Sequence, residues 1–178
     1  GDSYTTSEDT ALVVAASGVL GNDSDVDGDS LSAVVVTGPG HGTLTLNGDG
    51  SFSYTPDADY HGSDSFTYKS NDGQSDSGVV TVSLTVTSVN DAPVASDESV
   101  VTSEDTALTG TLTATDVDGD TLSFSKASDP AHGTVSVAGD GSYIYTPAAN
   151  YHGPDSFTYT VSDGHGGSVT KTVSITVT

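Results

Sequence analysis

HGTLTLNGDGSFSYTPDADYHGSDSFTY begins at His41, and HGTVSVAGDGSYIYTPAANYHGPDSFTY begins at His132. The second stretch repeats the first at an offset of 91 residues (132 − 41 = 91). That register holds back to Asp25 and Asp116 and forward to Val86 and Val177. Nearer the start, Glu8-Asp9-Thr10-Ala11-Leu12 matches Glu104-Asp105-Thr106-Ala107-Leu108 at an offset of 96 (104 − 8 = 96). The first copy therefore carries five extra residues (96 − 91 = 5), in or beside residues 15–22. A repeat of this length is too long for a solenoid unit and right for an autonomous domain. The 178 residues divide into two domains, 1–89 and 90–178, with the seam in residues 88–93, SVNDAP. Pro93 cannot donate to a ladder and stiffens the entry to the second copy.

Each copy reads as all-β. Val and Thr recur in short alternating runs, which favour strands, and no stretch keeps a helical period. In the second copy the pattern predicts strands near residues 99–101, 107–114, 121–125, 134–137, 142–146, 156–161 and 168–177. Seven short strands parted by Gly, Asp and Pro predict a Greek-key β-sandwich. Alternation places Phe157, Tyr159 and Val161 on one face, and Val173, Ile175 and Val177 on one face of the last strand. NGDGS and AGDGS lie between alternating runs, where Gly can take positive φ in a tight hairpin. Trp, Met and Cys are absent, so the cores must be built from Val, Leu, Ile, Ala, Tyr and Phe. With no Cys there is no disulfide framework. An extracellular domain of this size needs another source of rigidity, and bound calcium is one.

Charge narrows the function. Asp and Glu number 25 against 3 Lys and Arg, a formal net charge of −22. Such a surface repels phosphate backbones and anionic membranes, and no apolar run reaches membrane-spanning length. Neither nucleic-acid binding nor membrane insertion is expected. No signal peptide is visible, as expected of an internal fragment. The acids are a solubilising coat, or some of them are grouped for a hard cation. Their placement bears on the choice. SED (Glu8, Glu104), DVDGD (Asp25, Asp27, Asp29; Asp116, Asp118, Asp120), GSDSF or GPDSF (Asp64, Asp155) and NDG or SDG (Asp72, Asp163) each occur once per copy. Each falls in a predicted loop or strand end. DVDGD is not an EF-hand, because position twelve is Val36 or Ala127 instead of a bidentate Glu. The same residues also suit Asp turns and caps.

Taken together, NDAP, SEDTAL, DVDGD, YHGxDSFTY and the closing VSLTVT and VSITVT resemble the tandem cadherin-like or Ig-like extender repeats of large RTX-type bacterial surface adhesins. The resemblance covers essentially the whole chain and implies two sandwiches arranged end to end, with calcium at the junction. Carried over position by position, it implies ligands at Glu8 and Asp64 of the first copy, Asn90 and Asp91 of the linker, and Asp116, Asp118 and Asp163 of the second. Asp120 is a further candidate. Asp25, Asp27 and Asp72 are the equivalent half-site of the first copy. Ser88 stands where vertebrate cadherin linkers have an acid, and Asp64 stands alone where they have an acidic pair, so about one or two ions are expected. The resemblance also implies an extracellular, type I-secreted, monomeric spacer on a bacterial cell surface, in the setting of adhesion and biofilm. Its partners would be neighbouring repeats of the same chain. A calcium-dependent homophilic or polysaccharide-binding module is the alternative.

Other chemistry finds little support. His41, His61, His132, His152 and His165 have no metal-ligand spacing among themselves. No G-x-S-x-G elbow is present, and acids repeated identically in both copies suit a structural ion better than a catalytic pair. No enzymatic activity is expected. Tyr60 and Tyr151 read as corner residues with a buried ring and a bonded hydroxyl.

Overall fold

The computed structural model describes every residue from Gly1 to Thr178 and resolves two compact units, Gly1–Val89 and Asn90–Thr178. In the first unit the strands are β1 (Ser3–Ser7), β2 (Leu12–Val14), β3 (Ser32–Thr37), β4 (Gly42–Leu46), β5 (Phe52–Pro56), β6 (Gly62–Asn71) and β7 (Val80–Thr87). They form one sheet ordered β1-β7-β6-β3 and a second ordered β2-β5-β4. β1 runs parallel to β7, from Ser3↔Ser83 to Ser7↔Thr87. The alternating side chains of the two sheets meet in the core. Phe52 and Tyr54 come from one sheet, and Phe66, Tyr68, Val82, Leu84 and Val86 from the other; all are at most 3% exposed.

The second unit repeats this plan. Its strands are β8 (Val94–Ala95), β9 (Glu98–Thr102), β10 (Leu108–Thr111), β11 (Ala114–Thr115), β12 (Ser123–Ser128), β13 (Gly133–Val137), β14 (Ser142–Pro147), β15 (Gly153–Ser162) and β16 (Ser168–Val177). The main sheets are β12-β15-β16-β9 and β10-β14-β13, and β8 pairs with β11. Phe157, Tyr159, Val161, Val173, Ile175 and Val177 are all buried, as their alternation predicts. No helix is long and apolar enough to cross a membrane.

One expected strand is broken. Residues 107–114 form β10 and then β11, with buried Leu112 between them. The Leu112 N–H leaves the ladder for the Gly141 carbonyl at 2.9 Å, and the chain changes sheet there. Leu108, Leu112 and Ala114 all fall on even positions, so the alternation runs through the break and hides it. The short strand β8 is also absent from the sequence pattern. In the first unit, the 3-10 turn Gly18–Leu20 falls among the extra residues. It sets Val19, wholly buried, against the Gly50 carbonyl at 3.0 Å, where the second unit sets Leu112 against Gly141.

The NGDGS and AGDGS hairpins close as predicted. Gly50 and Gly141 have φ of +83° and +86°. Both are also crowded: a β-carbon on Gly50 would lie 2.0 Å from the Ser17 carbonyl oxygen, and one on Gly141 2.7 Å from that of Leu112.

Candidate metal centre

In the second unit the acids of DVDGD converge. Asp116 opens the loop as an Asx turn: its Oδ1 accepts the Asp118 N–H at 3.0 Å and lies 3.5 Å from the Asp120 nitrogen. The turn brings one carboxylate oxygen from each of Asp116, Asp118 and Asp120 within 4.8 Å of the others. All three side chains are half-buried. Asp116 Oδ2 is buried without any hydrogen-bond partner. A buried carboxylate oxygen with no donor is costly by about 1–3 kcal/mol, more when charged. A hard cation would satisfy this oxygen and neutralise the group, so the residues present fit calcium.

The surrounding residues hold this loop in place. Asp91 donates its N–H to Asp118 Oδ2 at 2.8 Å. Asn90 Nδ2 donates to Asp163 Oδ2 at 2.9 Å and to the Asp91 carbonyl at 3.1 Å. Asp163 is 3% exposed. Its Oδ1 accepts the N–H groups of His165, Gly166 and Gly167 at 2.7, 3.0 and 3.0 Å. The Asn90 amide, together with those three N–H groups, outweighs burial and holds the Asp163 carboxyl below its ordinary pKa. His165 Nε2 lies 3.6 Å from Asp120 Oδ1. Spacing among the histidines gives His165 no role and does not reveal the cradle of His165, Gly166 and Gly167. The signal for that cradle is the run Asp163-Gly-His-Gly-Gly, successive N–H groups turned toward one acid.

The first unit has the same motif and a different outcome. Asp25 Oδ1 accepts the Asp27 and Asp29 N–H groups at 2.8 and 3.2 Å, so the Asx turn forms. Asp27 and Asp29 stay exposed, and no three-carboxylate grouping of Asp25, Asp27 and Asp29 results. Asp72 accepts the N–H groups of Gln74 and Ser75, both at 2.7 Å, and the Ser75 hydroxyl at 3.2 Å. Those bonds, the Ser75 N–H first, lower its pKa.

Glu8, also in the first unit, is 3% exposed. Its Oε1 accepts the Val89 N–H at 2.5 Å, and its Oε2 lies 3.6 Å from His61 Nδ1. The matching Glu104 is exposed.

Asp64 serves a different purpose. Its Oδ1 accepts the N–H groups of Gly40 and Ser65 at 2.8 Å each, and its Oδ2 accepts the His41 N–H at 3.0 Å and the Tyr54 hydroxyl at 2.9 Å. Asp155 makes the same four bonds to Ala131, Ser156, His132 and Tyr145. A carboxylate has about four acceptor sites, so both groups are filled. Either could bind a cation only by giving up one of these bonds. Burial pushes both pKa values up, but the four hydrogen bonds outweigh it and hold both carboxyls below the ordinary range. The reciprocal effect raises Tyr54 and Tyr145, through burial first and then through the Asp bond.

The corner tyrosines are bonded as expected, Tyr60 to the Ser63 carbonyl at 2.7 Å and Tyr151 to that of Pro154 at 2.6 Å. Both residues are half-buried, not buried, and each ring stacks on a histidine of the loop. Centroid distances are 4.1 Å for His41–Tyr60 and 4.2 Å for His132–Tyr151.

Comparison with known proteins agrees with this architecture. Residues 1–88 match the bacterial cadherin-like domain, and residues 90–176 match the bacterial Ig domain. The chain is a tandem of cadherin-like and Ig-like repeats. Among solved structures, a human CDH23 fragment (EC21-23) is 15% identical with a TM-score of 0.59; the alignment covers 99% of this chain and 67% of that one. Human mucin-like protocadherin EC1-2 is 17% identical with a TM-score of 0.52, over 99% of this chain and 95% of that one. At these identities the likeness of the tandem repeats to both is one of fold. The endo-fucoidan hydrolase MfFcnA4 from glycoside hydrolase family 107 is 26% identical, with a TM-score of 0.41. The cadherin-like and Ig-like tandem spans only 27% of that enzyme's chain. No curated protein sequence matches.

Proposed function

We propose that this tandem is a pair of calcium-stiffened extender repeats from a bacterial cell-surface adhesin of the RTX type, projecting a terminal binding domain away from the cell. The observation that carries the reading is the unpartnered buried Oδ2 of Asp116 within the Asp116, Asp118 and Asp120 grouping. The proposed ligands are those three acids with Asn90 and Asp91 beside them, and Glu8 contributed by the preceding module. Asp64 and Asp163, each already accepting four hydrogen bonds, brace their loops. Calcium neutralises the carboxylates and fixes the angle between one module and the next. The chain carries no catalytic role in this reading. The net charge of −22 is consistent with an unstiffened tandem when calcium is scarce and a rigid one outside the cell, where sites of this kind bind at about 10⁻⁴ to 10⁻³ M.

Small-angle scattering of the full chain in calcium and in chelator tests the proposal, alongside thermal melting. A longer, less variable particle and a higher melting temperature in calcium are expected. The same maximum dimension and melting temperature in both solutions would overturn the reading. Tight binding to a polysaccharide array would replace the spacer with a recognition module.

A further inference from the structure

The two units share a fold, so each is an internal control for the other. One edge differs. β3 and β12 are the edge strands of the four-stranded sheets, and both carry a bulge at the same place, after Val35 and after Lys126. In β12 the edge reads Ser125-Lys126-Ala127, and Lys126 forms an ion pair with Asp129 just beyond the strand. In β3 the matching residues are Val34, Val35 and Val36, and Gly38 stands where Asp129 does. The three valines are 50%, 49% and 47% exposed. Since the second unit builds the same edge without them, the fold does not require them. A charged pair is the usual guard against strand pairing at an edge, and the first unit lacks it.

We propose that β3 is a self-pairing edge, where a second copy of this chain lays its own β3 antiparallel across a two-fold axis near Val35. The Ala33 N–H points away from β6, because it bonds the Gly48 carbonyl at 2.9 Å. Backbone direction alternates, so Val35 presents its N–H and carbonyl to the same open side. An antiparallel pair centred on one residue is self-complementary. Charge selects the partner. Residues 30–48 contain no Asp, Glu, Lys or Arg, although the chain has 25 acids. β3 and β4 both lie in that window, and each is an edge strand of its sheet. Two copies of a polyanion can approach through this margin with the least repulsion. The free edge is short, so the pairing is weak in solution and adds up where many chains stand side by side.

Sedimentation equilibrium of the full chain in chelator tests this independently of calcium. A dimer is expected that grows with protein concentration and strengthens at about 0.5 M salt, where screening shortens to about 4 Å. Val35→Lys with Gly38→Asp imports the guard of the second unit. Both positions accept it, since Val35 is half-exposed and a β-carbon on Gly38 meets nothing within 4 Å. That variant should melt like the parent and weaken the dimer by about tenfold or more, as two lysines would then face each other. Lys126→Val with Asp129→Gly should strengthen association. A monomer at every concentration in high salt would overturn the proposal, as would a dimer indifferent to the guard.

Discussion

The Tyr145 hydroxyl donates to Asp155 Oδ2 at 2.8 Å, and Tyr54 repeats the bond to Asp64 at 2.9 Å. The pair links strand β14 to the start of β15, and β5 to β6, by joining a neutral donor to a carboxylate that also caps a loop. Asp155→Asn places an amide N–H against the donors that surround the carboxylate. A loss of about 1–3 kcal/mol is expected, read as a lower midpoint in urea.

Acid should expose the same bond. Because the folded pKa of Asp155 is depressed, its stabilisation is complete above the unfolded value of about 3.9 and is lost as pH falls through the folded one. The melting temperature of the parent should therefore fall steeply below about pH 4. Asp155→Asn should show a shallower fall, because one of the groups responsible is gone.

Alkali should act on the tyrosines with opposite sign. Tyr54, Tyr68 and Tyr145 have raised pKa values, from burial first and then from Asp64, Asp23 and Asp155. Their contribution is present below the unfolded value of about 10 and is lost as pH rises above it. Absorbance at the phenolate band should show these three tyrosines ionising only together with alkaline unfolding.

Gly50→Ala and Gly141→Ala separate the two units. Both add strain at positive φ, but the first also drives a β-carbon to 2.0 Å from a backbone oxygen, against 2.7 Å for the second. Each should cost about 1–3 kcal/mol, with Gly50→Ala the more severe. Calorimetry of the whole chain should show only the first unit's transition move for Gly50→Ala.

Asp120→Asn separates a ligand from a turn residue. Without calcium it relieves repulsion in the cluster and should leave the melting temperature of the second unit unchanged or slightly higher. In calcium the order should reverse. The parent gains about 1.4 kcal/mol at tenfold excess over its dissociation constant, and the variant should gain less.

The repeat, the buried faces of β15 and β16 and the glycine hairpins could all be read from residue order, because each rests on local spacing. Tyr54 lies ten residues before Asp64 on a different strand of a different sheet, so the brace that fills Asp64 leaves no local pattern. DVDGD makes the point more sharply. The pentapeptide is identical in both units and forms the same Asx turn in each. Only beside the Asp91 N–H and His165 do its carboxylates draw together. The motif specifies the loop; its neighbours, distant in sequence, determine whether it becomes a cluster.

The parallel pairing of β1 with β7 bears on how the first unit carries load. Tension on the tandem enters this unit through its first strand, β1, and leaves through its last, β7. In a parallel pair those strands are drawn past one another along their length. Every rung from Ser3↔Ser83 to Ser7↔Thr87 then resists at once, whereas an antiparallel hairpin would open one rung at a time. The strand that closes the first sandwich is thus also its shear clamp.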